Sequence, residues 1–197
     1  ELLPCSELHP INIGINLLSI FKIVFFPTLL LTIIYGYFKT YLIKKRYHIQ
    51  RDQMTNFYRR DYYEKKWLKQ HDFNLLIIDI DHFKKINDTY GHEVGDDVIR
   101  QVAERINSLI RDKDIAVRWG GEEFIISFKH MTNKQLHIKA EQICNSIALS
   151  PILDINITVS IGGISVTNTH FNNAYTAADK ALYISKNNGR NQYTIAQ

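Results

Sequence analysis

Residues 115–128 read IAVRWGGEEFIISF. Ile115 to Trp119 and Glu123 to Phe128 are apolar, β-branched runs on either side of Gly120-Gly121, a pattern that predicts two strands joined as a hairpin. Glycines without a Cβ let backbone and ligand approach closely. Glu122 and Glu123 set two carboxylates at the tip. Taken alone, these residues are better explained by a tight turn with solvated acids.

Toward the N-terminus, Phe73 to Ile80 (FNLLIIDI) predicts a short buried strand that runs into Asp79-Ile80-Asp81-His82-Phe83-Lys84. Strand alternation points Asp79 and Asp81 to the same side. Paired carboxylates at a strand end suit a hard cation such as Mg²⁺. Lys84 to Tyr90 predicts a short helix ended by Gly91, and Val94 to Ile110 places Val98, Val102, Ile106 and Leu109 at helical spacing. Further upstream, Phe57 to Gln70 predicts a helix with Tyr58, Tyr62 and Trp67 on one face. Beyond the hairpin come an amphipathic helix from Asn133 to Leu149, a strand from Ile155 to Ser165, a helix from Tyr175 to Asn187 closed by Gly189, and a last strand from Gln192 to Ile195. This order predicts an α+β fold, a central antiparallel sheet with helices on one face. An acidic strand end and an acidic hairpin brought together in one sheet form a two-metal phosphoryl-transfer site.

The 197 residues fit one domain plus an appendage. Hydrophobic residues make up 45% and charged residues 22%, which excludes a disordered chain. With 24 Lys+Arg against 20 Asp+Glu, the net charge of +4 is too small to imply a nucleic-acid partner. Cys5 and Cys144 are too few for a disulfide framework or zinc cluster. The first residue is Glu1 rather than Met, so a piece of a longer chain is expected.

The appendage is Leu17 to Phe38, LLSIFKIVFFPTLLLTIIYGYF, with Lys22 its only charge. A helix of that length reaches about 33 Å, enough to cross a bilayer core of roughly 30 Å. It is long for a core helix, and a signal peptide would carry its positive charge first. Here Lys39, Lys44, Lys45, Arg46 and Arg51 follow the run, and no Lys or Arg precedes Lys22. The asymmetry places the C-terminal side in the cytoplasm. The expected organisation is an extracytoplasmic remnant (1–16), a transmembrane helix (17–38), a basic juxtamembrane linker (39–51) and a folded domain (52–197). Cys144 would then sit in reducing cytosol, unable to pair with Cys5.

Gly120-Gly121-Glu122-Glu123-Phe124 resembles the signature of the GGDEF family of diguanylate cyclases, in its GGEEF form. The run from Asp79 to Asp88 resembles the family's D-x-D-x-F-K-x-x-N-D block, and Tyr90-Gly91-His92 through Gly95-Asp96 resembles the Y/F-G-H-x-x-G-D that follows it. Ala178 to Tyr183, then Lys186 through Gly189-Arg190-Asn191, are similar to its A-D-x-A-L-Y-x-x-K-x-x-G-R-N. Blocks in this order are unlike a chance match. The resemblance implies a palm-like fold and Mg²⁺-dependent condensation of two GTP to cyclic di-GMP by a homodimer; together with the apolar run and its flanking charges, the expected location is a bacterial inner membrane with the catalytic domain in the cytoplasm. It also implies that Asp79, the Ile80 carbonyl and Glu122 hold Mg²⁺, that Glu122 is the catalytic base, and that Glu123 supports the site. Asn87 and Asp96 would read the guanine edge, His92 would be a further substrate contact, and Lys84, Lys186 and Arg190 would meet the triphosphate.

Two positions depart from the pattern. Asp52-Gln53-Met54-Thr55-Asn56-Phe57 carries Asn56 where the family's D-x-L-T-G-L opening has Gly, and Gly163 follows Gly162 where another small residue is usual. Arg111-Asp112-Lys113-Asp114 resembles the family's R-x-x-D product site at its usual spacing from the signature, which implies feedback inhibition. The rival readings are a non-catalytic receptor for cyclic di-GMP or GTP and a different palm enzyme such as a nucleotide cyclase. Degenerate receptors usually lose the carboxylates that Asp79, Glu122 and Glu123 retain.

Overall fold

The computed structural model describes residues 17–67, 73–167 and 169–196. The expected remnant 1–16 with Cys5, and the end of the helix expected to reach Gln70, lie outside the described residues.

Helix α1, Leu17–Gln50, runs unbroken for 34 residues with Pro27 inside it. It continues past Phe38 through the basic stretch, so the expected linker is helical. Phe21, Ile23, Leu31, Tyr37 and Ile43 are each more than half exposed. Its threonine hydroxyls are satisfied from within: Thr28 donates to the Val24 and Phe25 carbonyls, Thr32 to Leu29 and Thr40 to Tyr37, at 2.7–2.9 Å. Such back-bonding is what a medium without water demands of a hydroxyl. By length and composition the stretch Ile20–Tyr47 can cross a membrane: it is 28 residues long and holds an 18-residue window of mean hydropathy 1.8.

The second compact unit begins at residue 48. Its elements are β1 (Tyr58–Arg59), α2 (Arg60–Trp67), β2 (Phe73–Ile80), α3 (Phe83–Tyr90), α4 (His92–Leu109), β3 (Ile115–Arg118), β4 (Glu123–Phe128), α5 (Asn133–Ala148), β5 (Val159–Val166), α6 (Phe171–Asn187) and β6 (Tyr193–Ala196). They build a six-stranded sheet in the order β1-β3-β4-β2-β5-β6. The four inner strands pair antiparallel, as expected, whereas β1 and β6 add parallel at the two edges, making the sheet mixed.

Strand β2 organises both layers. Leu76, Ile78 and Ile80 pack with Val98, Val102 and Ile106 of α4 and with α5. Leu75 and Ile77 pack on the other face with Tyr63 of α2 and Ala174, Ala178 and Leu182 of α6. All five strand residues are at most 1% exposed. The expectation of helices on one face is therefore corrected: a strand apolar at consecutive positions needs cover on both.

The expected helix from Phe57 is also corrected at its start. Phe57 is buried against Phe124, with ring centroids 5.8 Å apart. Tyr58 and Arg59 extend alongside β3 instead, and the helix begins at Arg60. The turn before them needs a left-handed residue, and Asn56 supplies it at φ 60°. Asn is among the few side chains that tolerate this conformation, so it stands in for the family's Gly there.

Helix α6 lies directly on β5 at Gly162. A Cβ there would clash with the Ala178 carbonyl oxygen and the Leu182 nitrogen, both main-chain atoms with no rotamer to yield. Gly162→Ala is therefore expected to cost at least about 2 kcal/mol, read as a lower denaturant midpoint of the full chain. An unchanged midpoint would contradict this packing.

Candidate active site

Register brings the two acidic segments together. In the β2–β4 ladder Asp79 stands opposite Glu123. The Ile80 N–H donates to the Glu122 carbonyl at 3.4 Å, and the Trp119 and Gly120 N–H groups both donate to the Glu123 carbonyl, at 2.9 and 3.3 Å. Helix α6 delivers Lys186, whose Nζ lies 2.9 Å from Asp79 Oδ1. Strand end, hairpin tip and the last turn of α6 thus converge on one spot.

That spot is short of positive charge. Burial pushes the Asp79 carboxyl above its usual range; Lys186 pulls it back, and the charges of Glu122 and Asp81 add to the rise. Burial likewise raises Glu123, helped by the charge of Asp79 and, more weakly, of Glu122 and Asp179, against the pull of Lys186. A raised acid binds its proton more tightly in the folded state. Its charge therefore costs stability above the raised value, and the cost fades as pH falls to the ordinary value. In chelator-treated buffer, Glu123→Gln is expected to raise the denaturant midpoint near pH 7, with the gain gone near pH 4, below the ordinary Glu value of 4.5. A gain that ignores pH would assign the effect to packing.

The donor set fits a hard divalent cation. Asp79, Glu122 and Glu123 offer oxygens, and the burial cost of Asp79 and Glu123 is of the kind that a bound cation relieves. No group of three His, Cys, Asp or Glu side chains among the described residues is arranged to hold a metal alone. A cation here would complete its shell with oxygens such as the Ile80 carbonyl and ligand phosphates, the common way of holding Mg²⁺.

Asp81 departs from the pairing with Asp79 that alternation suggested. It is 5% exposed, and its carboxylate accepts from the Thr158 hydroxyl at 2.7 Å, the Ser160 hydroxyl at 2.6 Å and the Asn191 N–H at 3.0 Å. Those bonds tie the turn bearing Arg190 to β2 and β5. Asp81 is thus committed to holding the site's frame.

The other expected residues are spread around this centre. On α3, Asn87 Oδ1 is buried and has no hydrogen-bond partner among the described residues. It sits where a Cβ of Gly95 would be, so only glycine at that position leaves the amide its place. A buried acceptor without a donor is costly and marks a point where a ligand N–H fits. His92 and Asp96 are exposed at the start of α4, and Lys84 and Arg190 are exposed as well.

Arg111 and Asp114 bond to each other: Nε to Oδ2 at 3.0 Å, NH2 to Oδ1 at 3.1 Å, and the Arg111 N–H to Oδ2 at 2.9 Å. The Asp114 side chain is fully buried and that of Arg111 is 47% exposed. They border a cavity of about 480 Å³ together with Arg51, Tyr58, Asn107 and Lys113. Cys144 is buried, and burial pushes its thiol up to about 12, which leaves it inert. One contact escaped the sequence reading altogether: Arg118 on β3 bonds both to Asp52 and to the Gly121 carbonyl. A lone cation between the apolar Val117 and Trp119 was its only signal.

Known proteins resemble this chain in sequence and in fold. Diguanylate cyclase A of Treponema denticola is 43% identical over 136 residues, which is 66% of this chain and 36% of the relative. The probable diguanylate cyclase DgcT of Escherichia coli is 35% identical over 159 residues, 74% of this chain and 35% of the relative. The chain thus spans about a third of the length of these relatives. Among solved structures, the coiled coil and GGDEF domain of DgcB from Caulobacter crescentus, in complex with c-di-GMP, superposes with a TM-score of 0.77 at 29% identity, over 84% of this chain and 95% of that one. The active GGEEF domain of a diguanylate cyclase from Vibrio cholerae gives a TM-score of 0.61 at 33% identity, over 70% of this chain and 91% of that one. The family model for the diguanylate cyclase GGDEF domain matches residues 49–192, nearly all of the second unit, and the chain belongs to that family.

Proposed function

We propose that this chain is a membrane-anchored diguanylate cyclase that condenses two GTP into cyclic di-GMP with release of two pyrophosphates. The observation that carries the reading is the convergence of Asp79, Glu122, Glu123 and Lys186 at the sheet end, where acid outweighs base. Asp79, Glu122 and the Ile80 carbonyl would hold Mg²⁺, which when bound offsets triphosphate charge and polarises the reacting phosphate. Glu122 takes the proton of the attacking 3′-hydroxyl, and Glu123 supports it. Lys186, Lys84 and Arg190 receive the phosphates, where fixed positive charge favours the transition state over the ground state. The orphaned Asn87 Oδ1 accepts from a guanine N–H, with Asp96 and His92 at the same edge.

One chain carries one such site, while the product has two-fold symmetry. Two chains must therefore face each other across a two-fold axis. Helix α1 spans the inner membrane, and the basic residues after Phe38 hold the folded unit on the cytoplasmic side. Product bound at Arg111 slows turnover. Asp114 there keeps the guanidinium fork in position, since its own oxygens are already taken.

Incubating the detergent-solubilised chain with GTP and Mg²⁺ is expected to yield cyclic di-GMP, with a rate that declines as product accumulates. Arg111→Ala should keep the initial rate and abolish the decline. Binding of GTP or cyclic di-GMP without turnover would replace this reading with the receptor. Recovery of the chain in the soluble fraction without detergent would remove the anchor.

A further inference from the structure

The Arg118 guanidinium joins two segments that are far apart in sequence. Its NH1 donates to both oxygens of Asp52, at 3.2 and 3.3 Å. Its Nε and NH2 both donate to the Gly121 carbonyl, at 3.2 and 3.0 Å. The two side chains are only 17% and 24% exposed. Each end is anchored. Arg118 pairs with Phe124 in the β3–β4 ladder. Asp52 Oδ1 also accepts from the Thr55 N–H and hydroxyl, at 3.0 and 2.9 Å, and the Asp52 N–H donates to the Phe57 carbonyl at 2.8 Å.

Apart from the long bond from the Ile80 N–H to the Glu122 carbonyl, 3.4 Å, the rest of the hairpin tip is held from within. Trp119 and Gly120 bond back to Glu123, but a Cβ at Gly121 would meet nothing within 4 Å. Glycine is the residue with most backbone freedom, so such a tip samples many conformations unless an outside group fixes it. The Arg118 fork does so at the residue preceding Glu122. Arg60 adds a second hold, its guanidinium 4.4 Å above the Trp119 ring.

We propose that Arg118 is a positioning residue: with Asp52 it fixes the Gly121 carbonyl and thereby the carboxylate of Glu122. Asp52 follows the end of α1 at Gln50 by two residues. The ion pair is then the joint through which the segment leaving α1 sets the competence of the hairpin. A pair that merely added stability would need only the bonds to Asp52. The two bonds to Gly121 make this one directional.

The inference rests on the cyclase reading, and its test separates the two. In the full detergent-solubilised chain, Arg118→Met is expected to lower kcat at least ~10-fold with KM for GTP within about twofold, the split produced by misplacing a catalytic group. Amide exchange should quicken at Trp119 and Gly120, whose N–H groups close the tip on the Glu123 carbonyl, while β2 keeps its protection. The swap Asp52→Arg/Arg118→Asp can remake the ion pair, but a carboxylate at position 118 cannot donate to a carbonyl. Its denaturant midpoint should exceed that of Arg118→Asp alone while kcat stays low. Recovery of kcat with the midpoint, or exchange that quickens equally across the sheet in Arg118→Met, would overturn the proposal. If the swapped chain does not fold, the exchange pattern of Arg118→Met decides. If the wild type makes no cyclic di-GMP, the cyclase reading falls. The same exchange pattern then still decides the joint.

Discussion

Glu122→Gln is expected to lower cyclic di-GMP formation by at least about 10²-fold, with folding intact. Gln keeps the size and the hydrogen-bonding reach of Glu but cannot take a proton from a 3′-hydroxyl, and it contributes no charge toward a cation. The fold tolerates the change because the hairpin is closed by main-chain bonds from Trp119 and Gly120 to Glu123 rather than by the Glu122 carboxylate. Losing that charge also eases the repulsion felt by Asp79 and Glu123. The denaturant midpoint near pH 7 should therefore hold or rise while kcat collapses. Near-normal product formation by this variant would sink the assignment of Glu122.

A contrast at Asp81 carries the next largest effect, this time on stability. Asp81→Ala would leave two hydroxyls and the Asn191 N–H facing a void at a position only 5% exposed. Hydrogen bonds to a charged acceptor contribute about 1.5–3 kcal/mol each, so the loss should reach roughly 3 kcal/mol or more. Asp81→Asn fills the same space. Its carbonyl can serve Thr158 and Asn191 while its amide donates to the Ser160 oxygen, so the cost should stay within about 1.5 kcal/mol. Activity should follow the same division: Asp81→Asn retains most of it, whereas Asp79→Asn loses it. If Asp81→Asn kept its midpoint yet lost turnover as completely as Asp79→Asn, Asp81 would have to serve the cation after all.

The inner sheet was legible because its strands are short apolar runs bounded by turns, and each of the four central strands appears where its run lies. What the pattern concealed were the edges. Tyr58 and Arg59 carry no β-strand alternation of their own and pair only because the flank of β3 is open beside them. Cover on both faces was present in the unbroken LLII of β2, which alternation-based reading discounts. At the site, the approach of Asp79 and Glu123 could be anticipated because each segment sets carboxylates at the end of an apolar strand run. The fate of Asp81 could not, since its partners Thr158, Ser160 and Asn191 come from segments far along the chain, and polar contacts of that kind leave no periodicity. Arg118 was hidden for the same reason: its carboxylate partner lies 66 residues away.

The two edges of the sheet bear on how copies of the chain can meet. β1 offers main-chain hydrogen-bonding groups over only two residues, and β6 over only four. Edges so short are poor templates for a further strand. Sheet extension is therefore a poor route for recruiting a second copy. A contact between two such units, of the kind the proposed cyclase requires, would then be built from side chains and could form and part without unpairing a ladder.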